Sequence, residues 1–430
     1  MKIHLIGIGG IGVSALAQYY LAKGEEVSGS DLVSSEITEM LQKRGVKIII
    51  GNLNKNISKN LDLVVYSPAV KQENIELKMA KELGIKLQSY PEALGELTKE
   101  YYTIAIAGAH GKSTTTSMLG ILMQEAGLDP TVIVGTKVKE FGNTNFRFGR
   151  SKFLVIEACE YDSSFLNYFP KITIITNIDK EHLDFFKTFS NIKKAFLNFI
   201  MRLPSDGFLV LNKDDKNIPE VEKGKFKIKK YFLNQKEAKN IKNILKVPGD
   251  HNISNALAVL EVSKILGVPE EIFLKSLSKF NGTWRRFDVK ESVFNKKRIT
   301  VISDYGHHPT EIFATLFAAR EKYPNKKIWC IFQPHQHQRT FYLFNEFINV
   351  FRKTPVDKII ITDIYDVAGR EVNEINKDIN SQKLVKEINK NIVAYSPLDK
   401  LEDYVKENIK NEDVLIIMGA GDIYKFADKF

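Results

Sequence analysis

Ile104-Ala-Ile-Ala-Gly-Ala-His-Gly-Lys-Ser-Thr-Thr-Thr116 is the stretch that decides the fold prediction, because an apolar run passes through a glycine loop into a helix pattern. Such loops bind nucleotide phosphates: glycines let backbone N–H groups approach the oxygens, and the helix start adds its positive end. Lys112 would add a charge, and the Ser113 hydroxyl can reach a bound Mg²⁺. The common phosphate-loop pattern has a further glycine where this chain has Ile106. The sequence therefore predicts a shortened phosphate-binding loop; the alternative is an ordinary glycine-rich turn.

Length and composition predict several globular domains in a reducing compartment. A chain of 430 residues accommodates about two to four domains. Its 43% hydrophobic and 27% charged residues are typical of globular proteins. The first residues enter a strand pattern directly, and no apolar run is long enough to cross a membrane. Two cysteines, Cys159 and Cys330, cannot form a disulfide framework, so we expect a cytoplasmic protein without membrane insertion.

The net charge of +10 raises the question of nucleic-acid binding. The lysine-rich run from Lys223 to Lys246 contains few aromatic residues and no recognition motif. This pattern favours a solvated surface over a nucleic-acid interface. Positive potential also suits small polyanions such as nucleotides, so we expect no nucleic-acid partner.

A second glycine motif lies at the start of the chain. Gly7, Gly9 and Gly12 follow a strand pattern, and the acidic Asp31 lies 19 positions beyond Gly12. This spacing predicts a nucleotide diphosphate at a helix N-terminus and a ribose-like hydroxyl near Asp31. It does not specify NAD, and the alternative is that the glycines only allow close strand–helix packing.

Strand and helix patterns alternate in three blocks, which predicts parallel sheets with crossover helices. The fold prediction is an α/β protein with three domains in series: a Rossmann-like N-terminal domain, a central domain of the phosphate-loop type and a Rossmann-like C-terminal domain. We expect these domains to cover residues 1–97, 98–284 and 285–430.

Acidic residues follow two strands of the central block. Ligands bind at the carboxyl ends of parallel strands, which is where these residues are expected to lie. Glu157 begins a run with three carboxylates in six positions, which would repel one another unless a cation were bound. We interpret Glu157 as a Mg²⁺ ligand rather than a capping or surface residue. His182 stands beside further carboxylates, and here a metal role and a structural role are equally open.

Polar residues in the later part of the chain have less specific patterns. Asn252 and Asn255 share one helix face, which from the residues alone favours helix capping over contact with a base. The loops Asp304–Glu311 and Gln333–Thr340 follow strands and contain four of the eight histidines. Cysteines and carboxylates are too sparse there for a zinc site.

Taken together, these motifs resemble the ATP-dependent Mur ligases of peptidoglycan synthesis, most closely the branch that adds L-alanine. The matching segments occur in the family's order across nearly the whole chain. They are Gly7–Gly12, Gly108–Thr116, Glu157–Leu166, Asn177–Asp184, His251–Ala258, Arg285–Phe287, Asp304–Glu311 and Gln333–Thr340.

The resemblance implies a role for each set of site residues, and it replaces the capping interpretation of Asn255 with an ATP contact. The UDP-sugar would contact Gly7, Gly9, Gly10, Gly12, Asp31 and Ser67. ATP would contact Gly108, Ala109, His110, Gly111, Lys112, Ser113, Thr114, Asn255 and Arg286. Metal ions would contact Ser113, Glu157 and His182. The catalytic residues would be Lys112, Glu157, His182 and Asp304. The residues on the amino-acid side of the site would be His307, His335 and Arg339.

The resemblance also implies a reaction and its small molecules. ATP and Mg²⁺ would activate the lactyl carboxylate of UDP-N-acetylmuramate as an acyl phosphate, which the amine of L-alanine then attacks. We expect a monomer or a homodimer.

Departures from the family pattern leave alternatives open. Ala109 and Ser113 replace two threonines of the loop, and Gln336 stands where the first of two arginines is expected near the amino acid. The branch that attaches a preformed tripeptide shares most motifs but resembles Glu-Pro-Arg where this chain has Gln333-Pro-His335. An NAD-dependent oxidoreductase would leave the Lys112 loop unexplained, and a non-catalytic module would bind ATP without turnover.

Overall fold

Three mostly parallel β-sheets follow one another along the chain and confirm the predicted fold class. The structure is a computed structural model that describes residues 1–221, 225–366 and 378–430. Most strands are buried on both faces, which explains why they read as continuous apolar runs.

The first sheet is entirely parallel, with the strand order β3-β2-β1-β4-β5. A tight glycine turn joins the central strand to the first helix. The elements are β1 (Lys2–Ile6), α1 (Ile11–Ala22), β2 (Glu26–Asp31), α2 (Glu36–Lys43), β3 (Lys47–Ile50), β4 (Leu63–Tyr66), α3 (Ile75–Glu82), β5 (Lys86–Ser89) and α4 (Tyr90–Glu100).

The second sheet has the order β12-β11-β10-β6-β9-β7-β8 and is parallel except for the β7–β8 hairpin. That hairpin is not predicted by the sequence analysis; its turn uses Gly142 and Asn143 at φ 79° and 60°. The elements are β6 (Tyr102–Ala107), α5 (Lys112–Glu125), β7 (Thr131–Val138), β8 (Thr144–Arg147), β9 (Phe153–Glu157), β10 (Ile172–Ile175), α6 (Leu183–Phe186), α7 (Phe189–Ile200), β11 (Phe208–Asn212), β12 (Lys227–Tyr231), α8 (Glu237–Ile244), α9 (Asp250–Ile265) and α10 (Glu270–Lys279).

The third sheet has the order β13-β14-β18-β15-β16-β17, with β13 antiparallel at one edge. Apolar clusters cover both faces of this sheet. The elements are β13 (Asp288–Phe294), β14 (Lys297–Asp304), α11 (Pro309–Lys322), β15 (Ile328–Phe332), α12 (His337–Tyr342), α13 (Phe344–Lys353), β16 (Lys358–Ile361), α14 (Ser381–Ile388), β17 (Val393–Tyr395), α15 (Leu401–Asn408), β18 (Val414–Met418) and α16 (Tyr424–Ala427).

The chain divides by packing into two compact units. The first unit contains the first two sheets, and the second unit contains the third sheet together with two short segments from the expected central domain. The predicted domain boundaries remain predictions. The first unit comprises Met1–Asp179, Ile192–Phe232 and Ala256–Leu277, and the second comprises Lys180–Asn191, Leu233–Asn255 and Ser278–Phe430.

A buried asparagine joins the two sheets of the first unit. Asn145 on β8 is 2% exposed, and its amide group donates to the carbonyl of Ile11 and to the Ser14 hydroxyl. Its Oδ1 accepts from Nε2 of Gln18 at 2.9 Å. Helix α1, which follows the glycine turn, is therefore tied to the edge of the second sheet.

The charged run and the cysteines also have defined places. Strand β12 and helix α8 occupy most of the lysine-rich run, whereas Lys223 lies outside the described residues. Cys159 is exposed, Cys330 is buried, and both are free. Within the described ranges, no helix combines the length and apolar character that a membrane span requires.

Candidate functional site

The glycine turn after β1 is fixed by two consecutive residues at the end of β2. The Ser30 carbonyl accepts from the backbone N–H groups of Gly7 (2.8 Å) and Ile8 (3.1 Å). The Asp31 carboxylate accepts from the Gly9 N–H at 2.8 Å. The structure therefore places Asp31 against the turn itself.

Close packing around the turn leaves no room for side chains at two glycines. A Cβ on Gly12 would lie 2.8 Å from Cζ of Tyr90, and one on Gly7 would lie 2.9 Å from Cβ of Ser67. Gly10 is the N-cap of α1. The predicted UDP-sugar residues thus converge at the N-terminus of α1, where unpaired N–H groups favour a diphosphate.

The phosphate loop leaves β6, which lies between β9 and β10 in the second sheet. Gly108 and Gly111 adopt φ values of 141° and 84°, which side-chain-bearing residues rarely adopt, and a Cβ on Gly108 would lie 2.0 Å from Oγ1 of Thr176. Thr176 donates to the His110 carbonyl at 2.7 Å, and Asn177 accepts from the His110 N–H at 2.9 Å. The end of β10 therefore fixes the shape of the loop.

Lys112 at the start of α5 is paired with a buried carboxylate. Its Nζ lies 3.0 Å from Oε2 of Glu160, which is 1% exposed, and also donates to the carbonyls of Gly108 (2.5 Å) and Ala109 (3.2 Å). Burial alone would lower the pKa of Lys112, but the Glu160 carboxylate outweighs it, so this pKa lies above its usual value. Lys112 therefore stays protonated at neutral pH.

Two of the predicted metal ligands lie on neighbouring elements of the first unit. Glu157 ends β9 opposite Ile106 of β6, and its Oε1 accepts from the Gly135 N–H at 2.6 Å. Ser113 lies in the first turn of α5 and is 7% exposed. A hydroxyl and a carboxylate are the oxygen donors that Mg²⁺ prefers, so these residues fit that ion. The third predicted ligand, His182, belongs to the second unit, where it precedes α6 with φ 56°.

A cluster of ionisable side chains surrounds Glu181 in the second unit. Glu181 is 4% exposed, and its Oε2 accepts from Nη2 of Arg339 at 3.2 Å. Its Oε1 lies 3.8 Å from Nε2 of His307. Burial alone would raise the pKa of the Glu181 carboxyl, but the Arg339 guanidinium outweighs it and holds this pKa well below its usual value. Glu181 is therefore an anion that helps to orient Arg339.

The same cluster brings together all three residues predicted for the amino-acid side. Nη1 of Arg339 contacts Nδ1 of His335 at 2.9 Å, and the His307 and His335 rings lie 5.8 Å apart. His335 also stacks on Tyr365 with an interplanar angle of 9°. Gln336 adopts φ 70°, and its Oε1 lies 3.5 Å from Nη1 of Arg339.

His307 is neutral in this environment. Burial lowers its pKa to about 4, against the opposing effect of Glu311. Nδ1 lies 3.1 Å from the Tyr305 carbonyl, which can only accept, so Nδ1 carries the proton. Nε2 therefore presents a lone pair towards Glu181.

Asp304 and Arg286 have partners within the third sheet and its loops. The Asp304 carboxylate accepts from the backbone N–H groups of Phe287 (2.8 Å) and Gly306 (2.7 Å), and burial raises the pKa of its carboxyl. Arg286 pairs with Glu311 at 3.3 Å. Asp304 thus holds the loop that carries Arg286. Asn255, on α9, is 5% exposed.

Three residues with clear contacts are missed as site residues by the sequence analysis. Glu160, Asn177 and Glu181 all lie inside the segments that match the family, yet no sequence pattern predicts a role for any of them. The acidic run that begins at Glu157 is the one sequence signal that could have indicated Glu160 as the partner of Lys112. Asn177 bonds to His110, which lies 67 positions away, and Glu181 bonds to Arg339, which lies 158 positions away. No local sequence pattern predicts contacts over such separations.

Known proteins resemble this chain over its full length. Proteins named UDP-N-acetylmuramate–L-alanine ligase from Clostridium kluyveri and Caldanaerobacter subterraneus are 42% and 41% identical, covering 100% of this chain and 97% of each relative. The crystal structure of the UDP-N-acetylmuramate–alanine ligase of Thermotoga maritima superimposes with a TM-score of 0.79 at 26% identity, covering 100% of this chain and 98% of that one. A murein peptide ligase from Psychrobacter arcticus shares the fold, with a TM-score of 0.70 at 24% identity and coverage of 100% and 98%.

Three family models match successive parts of the chain. The Mur ligase catalytic domain matches residues 2–102, the Mur ligase middle domain matches residues 106–245, and the Mur ligase glutamate ligase domain matches residues 285–421. The three matches fall in turn on the first, second and third sheets. The chain therefore belongs to the Mur ligase family.

Proposed function

We propose that this chain joins L-alanine to the lactyl carboxylate of UDP-N-acetylmuramate, using ATP and releasing ADP and phosphate. One structural observation carries the proposal: a glycine loop and Lys112, at the start of α5, directly follow β6, the central strand of the second sheet, and Glu157 ends the neighbouring parallel strand β9. The names of full-length relatives at 41–42% identity support the choice of substrates.

The first unit supplies the groups for activating the carboxylate. A carboxylate and an amine do not condense in neutral water, so the carboxylate oxygen must first accept the γ-phosphoryl group of ATP. The backbone N–H groups at Gly111 and at the start of α5 hold the phosphates in place, and Lys112 stabilises the charge that develops during transfer. The glycine turn at Gly7–Gly12 holds the diphosphate of the UDP-sugar at the start of α1.

We include Mg²⁺ in the proposal because Ser113 and Glu157 offer the hydroxyl and carboxylate oxygens that this ion prefers. Ser113 and Glu157 would hold the ion in the first unit, with His182 as a further proposed ligand. When bound, Mg²⁺ offsets the charge of the phosphate oxygens. Gly135 keeps Glu157 in position by donating its backbone N–H to one carboxylate oxygen, which leaves the other available.

The cluster around Glu181 supplies groups suited to an amino acid. Arg339 presents a guanidinium to a carboxylate, and the neutral His307 offers a lone pair to an ammonium group. Once the ammonium group has released a proton to water, the amine attacks the carbonyl carbon of the acyl phosphate. The tetrahedral intermediate then loses a second proton from nitrogen to water and expels phosphate, and the amide remains.

Phosphate release tests the proposal. Purified protein with Mg²⁺, ATP and UDP-N-acetylmuramate is assayed with L-alanine, L-serine, glycine, the tripeptide or no amine. We expect release that requires both the UDP-sugar and L-alanine. Release only with the tripeptide would assign the chain to the recycling branch, and no release with any amine would contradict the ligase assignment.

A further inference from the structure

A completely buried carboxylate lies beneath the glycine turn of the first sheet. Glu76, in the first turn of α3, is 0% exposed. Its Oε2 accepts from the Ser30 hydroxyl at 2.6 Å, and its Oε1 accepts from Nδ2 of Asn56 at 2.5 Å. A charge in this position is costly unless such hydrogen bonds satisfy it.

Ser30 links this carboxylate to the glycine turn. Ser30 is itself 0% exposed, and its carbonyl accepts from the N–H groups of Gly7 and Ile8, the first two residues of the turn. The side chain of Ser30 therefore contacts Glu76 while its backbone holds the turn. A change at Glu76 would reach the turn through a single residue.

The two partners of Glu76 explain why a carboxylate is needed here. The Asn56 amide nitrogen is a donor, and the Ser30 hydroxyl donates its proton in this contact, so the group between them must accept twice. A glutamine would accept from Ser30 but would turn its own NH₂ group towards the NH₂ group of Asn56. His4 does not compete, because its Nε2 lies 3.9 Å from Oε1 and its Nδ1 contacts Ser28.

We propose that Glu76 is a positioning residue that sets the affinity of the glycine turn for the UDP-sugar diphosphate without touching it. The inference rests on the proposed function, since it concerns how that substrate is held. Glu76 fixes Ser30, Ser30 fixes Gly7 and Ile8, and the N–H groups at the start of α1 then face the diphosphate.

Calorimetric binding of UDP-N-acetylmuramate to four proteins tests this inference: the wild type, Glu76→Gln, the double variant Asn56→Asp/Glu76→Gln, and Leu77→Ala. The double variant exchanges donor and acceptor between positions 56 and 76, so that the hydrogen bond between them can re-form in reverse while Ser30 still donates to the side-chain oxygen at position 76. Leu77 is the matched control, because it is 1% exposed on the same helix but its side chain packs in an apolar cluster and makes no hydrogen bond to Ser30. Steady-state KM and kcat are measured for both ATP and the UDP-sugar.

We expect Glu76→Gln to weaken UDP-sugar binding about tenfold, the effect of losing one charge-assisted hydrogen bond. Its kcat and its KM for ATP should stay near wild type. The double variant should regain most of the lost affinity. Leu77→Ala should lower the melting midpoint and leave the affinity unchanged.

Three results would overturn the inference. They are normal binding by Glu76→Gln, no recovery in the double variant, or an equal loss of affinity in Leu77→Ala, which would point to general loosening of the fold. A wild-type protein that fails to bind UDP-N-acetylmuramate would instead count against the proposed function itself.

Discussion

Replacing Lys112 by methionine should separate its role in folding from its role in turnover. Methionine keeps much of the length of the side chain but removes the charge. Two independent losses are expected, because Lys112 neutralises the buried Glu160 and, in the proposed function, also binds phosphate.

The magnitude of the folding loss follows from burial. The side chains of Lys112 and Glu160 are 15% and 2% exposed, so solvent screens neither charge effectively. Removing one partner of a buried pair costs about 3–5 kcal/mol, because the other charge stays uncompensated. In a unit of this size, that corresponds to a drop in melting midpoint on the order of 10 °C. The double variant Lys112→Met/Glu160→Gln should recover most of this stability.

Turnover should not recover with stability. We expect both variants to release phosphate at least about a thousandfold more slowly, because the developing phosphoryl charge loses its cation. The assay pairs thermal unfolding with phosphate release; Lys99→Met, which breaks an exposed pair with Glu96, is the control and should leave the midpoint unchanged. Substantial turnover in either variant would refute the role of Lys112 in the phosphate loop. A stable Lys112→Met protein would refute the buried-pair argument.

Three further changes test other parts of the site. Gly135→Ala would place a Cβ 2.9 Å from Oε2 of Glu157, so we expect the Mg²⁺ concentration for half-maximal phosphate release to rise several-fold; an unchanged titration would contradict the role of Glu157. Arg339→Ala should raise the KM for L-alanine and leave that for ATP unchanged, because it removes the guanidinium that Glu181 orients; steady-state kinetics would disprove this if both KM values moved together. His307 takes up a proton near pH 6.5 in the unfolded chain but only near pH 4 in the folded protein. The free energy of unfolding of the wild type, measured relative to that of His307→Gln, should therefore fall by about 3 kcal/mol as the pH decreases from 6.5 to 4. Chemical denaturation at several pH values measures this difference, and a pH-independent difference would show that His307 is not held neutral.

The parts of the site that local sequence patterns encode were predictable. Gly108, Gly111 and Lys112 lie within a few residues of one another, so their spacing alone indicates a loop between strand and helix. The same holds for the glycine turn and for Glu157, which directly follows an apolar run. The strand order then places Glu157 beside the loop, as the rule for parallel sheets predicts.

Other features depend on contacts between distant parts of the chain. The β7–β8 hairpin was missed because Gly135 interrupts its apolar pattern, and strand β13 was missed because it is a half-exposed edge strand with mixed polarity. The hydrogen bonds of Asp304 to two backbone N–H groups follow from the folded path of its loop. The spacing of apolar residues does not predict which backbone groups a loop carboxylate will contact.

The contact made by Asn145 has a consequence for exchanging parts between related enzymes. A graft limited to residues 1–97 would replace Ile11, Ser14 and Gln18, the hydrogen-bond partners of the buried Asn145 amide, and a buried polar group left without partners costs about 1–3 kcal/mol. A graft of residues 1–147 carries the β7–β8 hairpin along and keeps the contact intact. The boundary for exchanging segments between related enzymes therefore lies after the hairpin, inside the second sheet. A graft meant to transfer the proposed UDP-sugar site must include the strands β6, β7 and β8 of the sheet that carries the proposed phosphate loop.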